Sequence, residues 1–326
     1  MLDRTRLFGI IIFCTFFILC FFSFGFVSKK DWDTQSLIQE QIELGLNTVP
    51  AYDFEVNPDL ISKGELIIRR GYVKKRKNKI STFFVCTDCH NEDRDFANFK
   101  YNNPEKDAEY CKTNKKMYLP AGSFYGMINQ SSYYNNDYIK KYGKLVEKAK
   151  HSLAESVQLC AKECSQGRYL NTEELNSVMA YLINKQVKLK DVFENEKEYN
   201  NYQNNSNKKE ILASKVNQYR SHFYGNTDLN EIKLLKGNSS NGEWLYQKSC
   251  LTCHKNERVS FYGLDSDRLS KKDLIKKLNN SQNELLTIIR YGTTPIPGRK
   301  AYMPAYMNEK LSQQQVADLI AYLNEK

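Results

Sequence analysis

Apolar residues recur three and four positions apart in several stretches of the chain, the spacing that lines one face of an α-helix. Lys144 to Leu159 carries Leu145, Val146, Ala149, Leu153, Val157 and Leu159 in this way. Thr172 to Asn184 carries Leu175, Val178, Met179 and Leu182. Asn171 or Thr172 can cap that second stretch, and Glu173 and Glu174 sit in its first turn, where the helix dipole favours acids. Gly64 to Gly71 reads as a short helix stopped by glycine, and Gly242 to Gln247 starts another. Leu274 to Leu278, Leu285 to Arg290 and Leu311 to Asn324 complete the helical set, with a turn forced by Pro295, Pro297 and Gly298 before the last. Asn91 to Tyr142 is rich in Tyr, Asn and Gly, includes Pro104 and Pro120, and has poor periodicity, which predicts long loops. The fold class expected is all-α.

Leu7 to Val27 is different: 21 residues without a charge, long enough to span a bilayer. Arg4 and Arg6 before it favour an N-terminus in the cytoplasm, with the remaining chain across the membrane. A cleaved signal peptide is the rival. Phe24-Gly25-Phe26-Val27-Ser28 is a poor match to the A-x-A-like cleavage site, so an uncleaved transmembrane helix is the expectation. Residues 1–28 are then the anchor, 29–60 a polar spacer, and 188–240 a polar connector in which Asn201 to Asn207 approaches low complexity.

At 326 residues the chain has room for two domains besides these segments. Its 48 Lys+Arg against 38 Asp+Glu give a net charge of +10. Such a surface can steer an acidic redox partner or an anionic substrate, or lie on lipid headgroups; a simply solvated surface fits equally. No nucleic-acid partner is expected.

Two short motifs carry the chemistry: Cys86-Thr87-Asp88-Cys89-His90 and Cys250-Leu251-Thr252-Cys253-His254. The order C-x-x-C-H reads as a c-type haem attachment site. Residues three and four apart share a helical face, so both thiols reach the vinyl groups of one porphyrin and the histidine turns its imidazole to the iron. A structural zinc would need a closed set of four ligands, and each motif instead ends in a contiguous histidine. The cofactors expected are therefore two covalently bound haem c groups, with His90 and His254 as iron ligands.

An internal repeat extends the motif. Leu170, Leu175, Val178, Met179, Tyr181 and Leu182 match Leu311, Val316, Leu319, Ile320, Tyr322 and Leu323 at an offset of 141, and Gly64-Glu65 matches Gly242-Glu243. Each unit runs helix, C-x-x-C-H, loops, ligand region, closing helix. This order resembles the class I cytochrome c fold, and the resemblance implies two cytochrome c-like haem domains in tandem, 61–187 and 241–326. Tyr302-Met303-Pro304 resembles the Met-Pro ligand loop of that family, which implies Met303 as sixth ligand of the second iron, with Met307 as rival. The offset carried back from Met303 reaches Lys162, flanked by Cys160 and Cys164, with no methionine nearer than Met179. A cysteine thiolate can serve as an iron ligand. His151 and Met127 are the alternatives, and disulfides among Cys111, Cys160 and Cys164 compete with ligation.

The same stretch resembles the thiosulfate dehydrogenase family, diheme enzymes whose first haem has His/Cys ligation, with the ligand cysteine seven residues before a glycine. Cys160 stands seven residues before Gly167, so the resemblance implies Cys160 over Cys164 and leaves Cys111 and Cys164 to pair. Three positions depart from that family: Ser156 where it usually has arginine, Gln166 where it has Asn, and Cys164 where it usually has Ser. The function expected is a diheme cytochrome c, a single-pass protein of the bacterial cytoplasmic membrane with its haem domains facing the periplasm. It would pass electrons to a small redox protein or a respiratory-chain component, with no catalytic residue of its own. The alternative is a sulfur-compound-oxidising diheme dehydrogenase that acts on an anionic sulfur compound at Cys160.

Overall fold

The computed structural model describes residues 32–46, 54–99, 102–134, 138–139, 142–216, 228–254, 271–293 and 303–325. In chain order its helices are α1 (Leu37–Glu43), α2 (Pro58–Arg70), α3 (Pro104–Thr113), α4 (Lys144–Ala149), α5 (Leu153–Leu159), α6 (Thr172–Asn184), α7 (Leu189–Val192), α8 (Glu196–Gln203), α9 (Lys208–Val216), α10 (Leu229–Leu234), α11 (Ser239–Lys248), α12 (Lys271–Asn280), α13 (Gln282–Tyr291) and α14 (Gln313–Asn324). No strand occurs among the described residues, in line with an all-α fold; an isolated bridge joins Ser36 and Lys188. The proposed anchor, Leu7 to Val27, lies outside the described residues, as does the Pro295–Gly298 turn. No described helix is long and apolar enough to cross a membrane.

Local signals explain where the main helices begin and end. Asn57 Oδ1 accepts from Leu60 N at 3.0 Å, and Pro58 fills the first helical position of α2, where its missing N–H costs nothing. Gly71 closes α2 with φ of 76° and bonds back to Ile67 O at 2.7 Å. Asn171 and Glu174 cap α6 reciprocally, at 2.9 and 3.0 Å. Ser312 and Gln315 do the same for α14.

Two helix crossings built alike sit at the centre of the architecture. α2 crosses α6 at Gly64, where a Cβ would lie 2.0 Å from Ser177 O and 2.8 Å from Tyr181 Cβ. α11 crosses α14 at Gly242, where a Cβ would lie 2.0 Å from Asp318 O and 2.8 Å from Tyr322 Cβ. Ser177 and Asp318, like Tyr181 and Tyr322, are separated by the offset of the sequence repeat. The repeat is therefore a repeated helix crossing in which only glycine lets the backbones meet.

Three apolar clusters hold these elements. One joins Ile67 and Ile68 of α2 to Val178, Met179 and Leu182 of α6. A second joins Leu245 of α11, Leu286 of α13 and Val316 and Leu323 of α14, and takes in Ala108, Cys111 and Tyr118. The third gathers Leu37 of α1, Phe96, Leu189, Phe193, Tyr199, Tyr202 and Leu212. The spacer and connector segments thus pack on one another: Leu189 N donates to Gln35 O at 2.9 Å, and Tyr202 Oη to Glu40 at 2.7 Å. Their polar composition conceals this because the buried tyrosines satisfy their hydroxyls while burying their rings.

Two segments differ from the sequence expectation. α3 interrupts the stretch expected as loops. Asn103 caps it through Lys106 N at 2.9 Å, and Pro104, Glu105 and Asp107 follow as a regular helix start. The helix expected over 144–159 is two, because the chain breaks after α4 and restarts where Ser152 caps Glu155 N at 3.3 Å. α5 then passes directly into a π-helical turn, Cys160–Cys164.

Candidate haem centre

Each C-x-x-C-H motif folds as one tight turn of 3₁₀ helix, Cys86–Asp88 and Cys250–Thr252. Cys89 N and His90 N both donate to Cys86 O, at 3.2 and 3.1 Å. Cys253 N and His254 N both donate to Cys250 O, at 3.0 and 2.8 Å. The two motif backbones therefore turn in the same way, through a tighter turn than the α-helix assumed from spacing. Burial pushes the thiols of Cys86, Cys250 and Cys253 up to about 12, and that of Cys89 well above its ordinary value.

Cys86, Cys89 and His90 stand in the wall of a largely apolar cavity of about 330 Å³, within the range of organic cofactor sites. His90 Nδ1 lies 2.6 Å from Gly122 O, and its ring stacks on Phe124 at 4.8 Å. A carbonyl at Nδ1 requires that nitrogen to carry the proton, so Nε2 keeps the lone pair a metal needs. Burial lowers the His90 pKa against the Gly122 hydrogen bond, which favours the neutral ring. The two thiols, the imidazole and the apolar wall fit a c-type haem. His254 is half-buried, and residues 255–270, which follow it, lie outside the described residues.

Cys160 and Cys164 line the same cavity, as does Met127. The Cys160 thiol shares a hydrogen bond with Cys164, and that bond and burial hold its pKa well above the ordinary value. His151 is exposed, with Nδ1 3.2 Å from Ser131 O, and does not line the cavity wall. The Cys111–Cys164 disulfide is not formed. Cys111 is fully buried in the second apolar cluster, where its thiol donates to Asp95 O at 3.2 Å. Cys160 and Cys164 are likewise thiols.

Met303 is half-buried against the second cluster. Thr293 N donates to Met303 O and Met303 N to Thr293 Oγ1, both at 2.9 Å, which ties the methionine to the end of α13. Met307 instead stands in the wall of the first cavity, with Lys310. The pair that spacing alone left as rivals therefore falls on different sides of the 303–311 segment.

Several residues at the site carried no sequence signal. Tyr306 is buried, and burial raises its hydroxyl pKa well above the ordinary value. Arg290, 1 % exposed, donates through Nη1 to Tyr306 O at 3.0 Å and to Leu311 O, fixing the Met303–Leu311 segment from beneath. Lys310 Nζ pairs with Asp95 at 2.9 Å and lies 4.6 Å from the Tyr118 ring centroid. Gly122 supplies the carbonyl for His90 from 32 residues away.

A C-x-x-C-H turn follows a glycine-mediated helix crossing twice in the chain. Residues 237–323 match the family model of cytochrome C oxidase, cbb3-type, subunit III. That match supports a c-type cytochrome domain over this segment, which implies covalently bound haem c and supports a haem electron-transfer role. No curated protein and no solved structure matches the chain.

Proposed function

We propose that the chain is a diheme cytochrome c that carries electrons. Cys86 and Cys89 hold one haem over His90, and Cys250 and Cys253 hold the other over His254. The observation that carries this reading is the repetition. The same C-x-x-C-H turn follows the same glycine crossing twice, and a cytochrome c family model matches the second copy.

The haem irons supply the one-electron chemistry. The residues around them decide its energetics. His90 is oriented by Gly122 and Phe124, and the apolar wall keeps water from the iron. Cys160, as a thiolate, and Met303, as a thioether, are the residues that would supply a sulfur donor to the first and second irons. An anionic sulfur stabilises the ferric state more than a thioether does, so the first haem has the lower potential. Leu7 to Val27 tethers the protein to the bacterial cytoplasmic membrane, with the haem domains in the periplasm. The net charge of +10 suits an acidic partner, and the likeness of 237–323 to an oxidase subunit supports a respiratory-chain component. Oxidation of an anionic sulfur compound has weaker support. Ser156 stands where the resembling family has arginine, and its buried hydroxyl donates to Ala149 O at 2.6 Å, so it brings no positive charge to the cavity.

Low-temperature electron paramagnetic resonance during a potentiometric titration tests the assignment. Two one-electron waves are expected, the lower one belonging to a thiolate-ligated haem. Cys160→Met should raise that wave and leave the other in place. Loss of the thiolate signal in Cys164→Ser but not in Cys160→Met would move the ligand to Cys164. No thiolate signal at all would make Met127 or Met307 the candidate.

A further inference from the structure

Cys164 has no part in the electron-carrying reading, yet its placement is specific. It lies four residues beyond Cys160, so both side chains share one face of the turn. The turn is π-helical: Ser165 N donates to Cys160 O at 2.8 Å, and the Ser165 hydroxyl donates to Cys160 O and Ala161 O at 3.0 and 2.9 Å. Both thiols are half-buried in the cavity wall and share a hydrogen bond, and neither is in a disulfide. The turn ends at Gln166, whose φ of 51° lies in the left-handed region that a residue with a Cβ adopts at a cost. Beyond it the chain is pinned. Gly167 is packed so closely that a Cβ would lie 2.3 Å from Ile80 O, and Arg168 N bonds to the same carbonyl at 3.0 Å. The two sulfurs thus sit on a wide turn between a regular helix and a fixed anchor, and such turns are rare and concentrate at functional sites.

We propose that Cys160 and Cys164 form a reversible dithiol–disulfide site whose oxidation withdraws the Cys160 sulfur from the first iron. The coupling rests on Cys160 being that iron's ligand. Helical neighbours four apart have Cβ atoms about 5–6 Å apart, and a disulfide takes about 3.5–4.5 Å. The turn must therefore close that gap by about 1 Å, a shift favoured by the hydrogen bond that the two sulfurs already share. The oxidant is a small-molecule disulfide such as oxidised glutathione. The Cys164 sulfur attacks it, one glutathione thiol leaves with the Cys164 proton, and a mixed disulfide forms. The Cys160 sulfur then displaces the second glutathione, which leaves as a thiol with a proton from water. One S–S bond is lost and one gained, the two protein sulfurs are oxidised, and two glutathione thiols are produced.

The test uses the full-length, haem-loaded protein equilibrated anaerobically in glutathione buffers of increasing oxidised fraction. Alkylation of the denatured protein followed by peptide mass mapping reads the thiols, and electron paramagnetic resonance reads the ferric haems. The Cys160–Cys164 cross-link should appear, and the thiolate signal disappear, at the same glutathione ratio, and both changes should reverse with reduced glutathione. Cys164→Ser should keep the thiolate signal in every buffer. Alkylation of both thiols at every ratio, with the thiolate signal intact, would overturn the dithiol site and leave the Cys160 ligand standing. A stable glutathione adduct on Cys164 without the cross-link would overturn it as well. A cross-link with no thiolate signal in any buffer would overturn the coupling together with the Cys160 assignment.

Discussion

Gly64 and Gly242 are the smallest features on which the two crossings depend. In an exposed helix interior, replacing glycine by alanine gains about 1 kcal/mol. Here the added Cβ would meet a backbone carbonyl at 2.0 Å, and a helix backbone cannot turn aside as a flexible side chain can. Gly64→Ala and Gly242→Ala should therefore each destabilise the protein, by about 1–3 kcal/mol, read as a lower denaturant midpoint. An unchanged or raised midpoint would mean that the helices do not cross there. The two Gly-Glu pairs were legible as a repeat, but their reason was not, because Ser177 O and Asp318 O belong to distant residues. The same holds for His90: the motif named it as a ligand, while its orienting carbonyl at Gly122 comes from a loop without a sequence signature.

At the scale of elements, helices with caps and a full apolar stripe were readable in the sequence. α6 is the clearest case, with Asn171, Glu174 and the stripe through Val178 and Leu182. α3 was not, because it buries only Pro104, Asp107, Ala108 and Cys111, too short a stripe for its Asn-Pro start to stand out. The π turn at Cys160 was also hidden, since a bond from Ser165 to Cys160 leaves no trace in the spacing of apolar residues. The start of α6 carries a pH prediction. Burial pushes the Glu174 carboxyl up, but the two Arg168 hydrogen bonds, both 2.7 Å, and Asn171 N outweigh it and hold the pKa below the ordinary range. A carboxyl depressed in the fold contributes stability that is present above its unfolded pKa and is lost as pH falls through the folded value. Glu174→Gln should cost about 1 kcal/mol at neutral pH. That difference should shrink toward zero as the pH falls through the folded Glu174 value, as read by denaturation at neutral and strongly acid pH. A difference independent of pH would assign the loss to packing instead.

Over the whole molecule, the sequence suggested two units on polar linkers, whereas the structure interlocks them. Tyr118 N donates to Lys248 O at 3.0 Å, Ser249 Oγ donates to Tyr118 O at 2.7 Å, and the Tyr118 hydroxyl donates to Pro104 O and Lys310 O. Such pairings join residues far apart in the chain, and no local pattern announces them. The Lys310–Asp95 pair closes the joint with side chains 13 % and 2 % exposed. Breaking a pair this buried strands one charge, so Asp95→Asn should cost about 3–5 kcal/mol. A double-mutant cycle with Lys310→Met should return part of the loss. If the two single changes simply add, the pair does not couple the units. The count of haem centres also belongs to this scale, and the intact mass of protein matured in a periplasm competent for c-type haem attachment measures it. Two added haem masses are expected, falling to one when Cys86 and Cys89 are both alanine and to one when Cys250 and Cys253 are. A single haem in the unaltered protein, or zinc in its place, would contradict the diheme account.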